Sequence, residues 1–145
     1  MTTVITDKDH MLLALLRENA RMPVSTLARR LGLSRTTVQA RIERLEGQGV
    51  IAGYGVRLSD AYERGLVRAH ILITVAPKSV HAVSGALAAI EQVQTLHSVS
   101  GTFDLIAIVV ARSISELDEL IDRIGVLDGV ERTLSSIILS TRIDR

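Results

Sequence analysis

The side chains best equipped for directed hydrogen bonding crowd one short stretch. Arg30, Ser34, Arg35, Thr36, Thr37, Gln39, Arg41 and Arg44 fall together. An arginine can grip guanine O6 and N7 and a glutamine adenine N6 and N7, so Arg35 and Gln39 fit base readout, while Thr36 and Thr37 reach phosphate or a thymine methyl. Arg30, Arg41 and Arg44, with Arg29, suit phosphate, and Ser34 suits a helix start beside it. For any single arginine plain solvation is an equal reading. The group carries more weight, because residues 17–57 hold eight basic against three acidic side chains in a chain of net charge +1.

A second constellation is S-G-T-F-D, residues 100–104. It is the one place in the second half where a glycine turn and a carboxylate interrupt an apolar run. Backbone N–H groups at Gly101 and Thr102 can face a carboxylate, because glycine has no Cβ to block approach. Asp104 can accept from an ammonium in a charge-assisted bond. Ser100 flanks the turn, and Ser135 and Ser136, from this or a neighbouring subunit, would complete a polar lining suited to a zwitterion. The plainer alternative is that Gly101 only turns the chain and Asp104 only caps it.

No catalytic, metal or cofactor site is legible. The chain has no Cys, which removes thiolate zinc sites, disulfides and cysteine nucleophiles. His10, His70, His81 and His97 fall on different elements without ligand spacing, and neither a nucleophilic triad nor a phosphate-cradling glycine loop appears.

The first constellation needs helices to present it. Thr6 and Asp9 have capping-box spacing ahead of Leu12, Leu13, Leu15 and Leu16, predicting a helix that ends near Asn19. A second helix follows Pro23, with Leu27, Ala28 and Leu31 on one face, until Gly32 stops it. Ser34 caps a third, with Val38, Ile42 and Leu45 inward and Gly47 and Gly49 at its end. Only Gly32, Leu33 and Ser34 join helices two and three. With small Ala28 at their approach and Val38 filling the contact, this predicts a helix-turn-helix whose third helix turns Thr36, Thr37, Ala40, Glu43 and Arg44 outward.

The second half reads as strand (66–76), helix (Val80, Val83, Leu87, Ile90), strand (93–100), strand (103–111), helix and strand (130–141). Ser113 and Glu116 form an S-x-x-E box opening the second of these helices. The order predicts a ferredoxin-like βαββαβ sandwich and an α+β chain. Both helices of such a sandwich cover one face. The run 105–111 is apolar at every position, so the other face needs a cover as well. With no further layer left in the chain, a second copy is the simplest cover; loops or the N-terminal half are the alternative.

Composition bounds the rest. Hydrophobic residues make up 47% and charged residues 23%, a globular balance, but Tyr54, Tyr62 and Phe103 are the only aromatics, which excludes a base-stacking platform. Residues 1–60 carry nine basic and six acidic side chains, and 61–145 carry eight and ten, so the basic excess is local. No run approaches the ~18 apolar residues of a membrane span, and the start MTTVITDKDH has an acidic pair where a signal peptide needs a basic flank. A soluble cytoplasmic protein, without membrane partners, is the expectation.

The chain resembles the Lrp/AsnC (feast/famine) family of prokaryotic transcription regulators. The resemblance rests on D-x-x-L-L-A-L-L-R-E-N-A-R (9–21), L-A-R-R-L-G-L-S (27–34), V-Q-A-R-I-E-R-L-E-G-Q-G-V-I-A-G-Y (38–54) and S-G-T-F-D (100–104). It implies a DNA-binding domain over 1–53, a strand linker over 54–65, and a ferredoxin-like domain over 66–145 that dimerises, forms octamers and binds small effectors, usually amino acids. Pro23 departs from the family's common Ser or Thr cap. Ser135 and Ser136 stand where several members carry Thr or an aromatic residue, which leaves the effector's identity open. Two rivals remain at this point: a siroheme decarboxylase-like enzyme of similar fold, and an architectural DNA-binding protein without an effector.

Overall fold

The structure is a computed structural model that describes residues 4–143. The chain divides into two compact units with the boundary between Leu58 and Ser59. The first holds α1 (Asp7–Glu18), α2 (Val24–Leu31) and α3 (Arg35–Gly47).

The three helices start and stop where local chemistry directs. Thr6 caps α1 and both arms of its box with Asp9 are formed. Gly32, at φ 65°, ends α2 in the left-handed conformation, which lets Leu33 N–H reach back to the Ala28 carbonyl. The Ser34 hydroxyl accepts from Thr37 N–H to open α3. Gly49, at φ 70°, closes the other end, with Val50 N–H on the Leu45 carbonyl. Leu12, Leu27, Leu31, Val38 and Leu45 pack into an aliphatic core, and Ala28 is buried among them.

The second unit contains α4 (Asp60–Glu63), β1 (Val67–Val75), α5 (Val80–Ala88), β2 (Val93–Ser98), β3 (Leu105–Ala111), α6 (Ile114–Gly125) and β4 (Val130–Ile138). The strands form one antiparallel sheet in the order β2-β3-β1-β4, the ferredoxin-like arrangement expected. Strand alternation sorts its two faces. Ala69, Ile71, Ile73 and Val75 of β1 and Leu105, Ala107, Val109 and Ala111 of β3 form the core with Val83, Leu87, Leu117, Leu120 and Ile124 of the helices. Arg68, His70, Leu72 and Thr74, with Ile106, Ile108 and Val110, lie on the other face, beside Leu134 of β4 at 55% exposure.

Two expectations are corrected. Residues 54–65 form no strand; they include the short helix α4, which Ser59 caps, and an isolated bridge between Arg64 and Leu66. A strand needs a ladder partner, and the described chain supplies none for this segment. At α6 only one arm of the capping box forms. Ser113 Oγ accepts from Glu116 N–H, but the Glu116 carboxylate takes Arg112 N–H and Gln92 instead of the Ser113 amide. These two bonds hold its pKa below the ordinary value.

Candidate functional site

The first site is the outer face of α3. Val38 and Leu45 anchor its inner face at zero exposure, so Thr36 stands exposed on the opposite side, with Arg35 and Gln39 exposed on the flanks. Arg35 has no ion-pair partner among the described residues. Gln39 Nε2 donates to Glu43 Oε1 at 3.0 Å, one turn on, and must leave it to bond a base. The hydroxyls of Ser34 and Thr37 are 2.8 Å apart and serve the cap, which accounts for two of the residues singled out as DNA contacts. Arg30 lies exposed, 3.5 Å from Glu18.

Arg41 and Arg44 are not the free clamps that their helical positions suggest. Arg41 Nη1 and Arg44 Nη2 both donate to Oδ1 of Asp9, at 2.8 and 2.7 Å. Asp9 has no solvent exposure, and its Oδ2 takes Thr6 N–H and the Thr6 hydroxyl. Burial by itself would raise this carboxyl's pKa. The bonds from Thr6, Arg44 and Arg41 outweigh it and hold the group far below the usual carboxylate range. Sequence pattern marks Asp9 only as a cap. Its pairing with arginines 32 and 35 residues away is tertiary, and the one hint is an acidic residue facing a basic helix.

The second site is the end of the sheet where β1 runs out. Gly101, at φ 131°, takes the turn before β3. Asp104 N–H donates to the Ile73 carbonyl, and Asp104 Oδ2 accepts from Val75 N–H at 2.8 Å. Asp104 is therefore a sheet tie as well as a candidate ligand group, and its Oδ1 has no hydrogen-bond partner among the described residues. Ser100, Gly101 and Thr102 are exposed around it.

Ser135 and Ser136 do not join this set within one chain. They pair with Ile71 and His70, further back along β1, on the side opposite β3, about two strand spacings or ~10 Å from it. As successive strand residues they also point to opposite faces. The groups found near the turn are others: Arg132, paired with Thr74, lies 5.3 Å over the Phe103 ring, and Thr74 Oγ1 is buried without a partner among the described residues. No sequence periodicity marks such a pairing. Beside it β1 and β4 slip register between Thr74 and Val75. Among the described residues no group of three or more His, Asp or Glu could hold a metal ion, and no helix is long and apolar enough to cross a membrane.

A three-helix unit with an exposed third helix after a tight glycine turn, on the same chain as a ferredoxin-like sheet, defines a helix-turn-helix DNA-binding protein with a second, ligand-type domain. Residues 5–46 match the model of the AsnC-type helix-turn-helix domain, and 68–145 that of the Lrp/AsnC ligand binding domain. The transcriptional regulator LrpA of Mycobacterium tuberculosis is 35% identical over 97% of this chain and 94% of its own. A feast or famine regulatory protein of M. tuberculosis, solved with L-methionine, superposes with a TM-score of 0.87 at 34% identity, covering 97% and 96% of the two chains. E. coli AsnC superposes with a TM-score of 0.87 at 27% identity over 99% and 97%. The chain belongs to the Lrp/AsnC family of helix-turn-helix transcriptional regulators.

Proposed function

We propose that this regulator is a cytoplasmic homodimer, further assembled to an octamer, whose binding to duplex DNA responds to an amino acid. Arg35 and Gln39 read bases, Thr36 and Thr37 lie against the groove wall, and Arg30, Arg41 and Arg44 meet phosphates beside the Ser34 cap. Two such helices related by a two-fold axis call for a pseudo-palindromic site with half-sites about 10 base pairs, or a multiple, apart. The effector sits at the turn of Ser100, Gly101 and Thr102, with Asp104 Oδ1 taking its ammonium, while Ser135 and Ser136 contribute only from a neighbouring subunit.

The observation that carries this reading is the pairing, in one chain, of an exposed recognition helix with a sheet whose outer face bears Leu72, Ile106, Ile108, Val110 and Leu134 and whose end carries Asp104, Thr74 and Arg132. The L-methionine complex of the M. tuberculosis relative supports the effector class. Calorimetric titration of the twenty amino acids against wild type and Asp104→Asn tests it. The asparagine keeps an acceptor for Val75 N–H and removes the charge. Binding by wild type alone is expected; no binding at all, or equal binding by both, overturns the site.

A further inference from the structure

We propose that Asp9 is a positioning residue that holds Arg41 and Arg44 as a seat for one DNA backbone phosphate. The seat is the shallow, solvent-open groove that these arginines line with Thr36, Thr37 and Ala40. The proposal rests on the reading that this unit binds duplex DNA, and adds a residue that touches no DNA itself.

Both guanidiniums converge on the same oxygen, Asp9 Oδ1, so they are fixed side by side on the outer flank of α3. One guanidinium is enough to neutralise one carboxylate. The second leaves the cluster at net +1, and the arginine side chains keep 25% and 35% of their surface open, whereas Asp9 keeps none. The surplus charge therefore faces outward and matches a single phosphodiester. Each arginine spends one Nη on Asp9 and retains other donors. Side chains locked by a buried partner lose little further freedom on binding, which is the advantage of a preorganised charge over two free arginines.

The test uses the full chain and a fluorescent mixed-sequence duplex of 40 base pairs, with affinity followed from 50 to 200 mM salt. Asp9→Asn makes the protein more positive, so simple charge counting has it bind tighter. The seat predicts the reverse: affinity at 100 mM salt about tenfold weaker, and a salt slope shallower by about one for each lost phosphate contact. Leu12→Val loosens the same core without touching charge and should keep the wild-type slope. An Asp9→Asn protein that is folded and keeps the wild-type slope reduces Asp9 to a fold contact; a tighter, steeper response shows that it sequesters the arginines. Either result overturns the proposal. If Asp9→Asn fails to fold by circular dichroism, Arg44→Gln decides: a slope shallower by about one supports the seat, an unchanged one overturns it. If wild type itself shows no salt-dependent binding, the DNA-binding reading falls first.

Discussion

A carboxylate placed at Ile108 and one placed at Ala107 should have opposite consequences, although the two positions are neighbours. Ala107 is fully buried between the sheet and α5 and α6, and an unpaired carboxylate there costs about 4 kcal/mol or more, against a domain stability of about 5–10 kcal/mol. Ala107→Asp should unfold the second unit. Ile108 is half-buried on the outer face, opposite His70 and Thr95, and in a single chain Ile108→Asp should fold with little loss.

In a dimer packed through that face, each copy loses roughly 1 kcal/mol of remaining apolar burial, and each must desolvate a carboxylate at several kcal/mol. Summed over two copies, about 8 kcal/mol disappears, a roughly 10⁶-fold weaker association. Light scattering after size exclusion gives the mass and far-ultraviolet circular dichroism the fold. An Ile108→Asp protein of wild-type mass, or a folded Ala107→Asp protein, would show that the faces or the partner have been assigned wrongly.

Other consequences are as direct. Gly129 lies at φ 94°, and a Cβ added there would fall 2.3 Å from Ser79 Cβ, so Gly129→Ala should cost about 2–4 kcal/mol in thermal or urea melts, and adding Ser79→Gly should restore part of it. Asp9 titrates far below the ordinary carboxylate value when folded, so its contribution is complete above about pH 4 and is lost as pH falls further. Unfolding free energies from urea melts of wild type should therefore drop more steeply than those of Asp9→Asn between pH 5 and 2, by about 2 kcal/mol. Arg35→Ala should lose about 1–3 kcal/mol of preference for its operator over random DNA, whereas Arg30→Ala should weaken both alike in anisotropy titrations.

Sequence pattern is a good guide wherever one residue's neighbours in the chain decide its fate. Thr6, Ser34 and Gly32 act within one helical turn, and the order of β1, α5, β2, β3, α6 and β4 follows from alternation and helical spacing alone. Legibility fails where distant elements meet. The Asp9 pairing joins residues 32 and 35 positions apart, and Asp104 bonds to Val75 across the sheet, 29 positions back. Ser135 and Ser136 look like one group because they adjoin in sequence, yet adjacency on a strand places them on opposite faces. The Arg132 and Phe103 contact depends on strand order, which no motif encodes.

Genome-wide mapping of the DNA bound by this protein, with and without added amino acids, tests the central claim most directly. Discrete pseudo-palindromic sites whose occupancy or spacing changes with at least one amino acid, and that change less for Asp104→Asn, are the expected result. Even coverage without a shared motif, or a fixed set of sites indifferent to every amino acid, would contradict an effector-responsive regulator and favour an architectural DNA-binding protein.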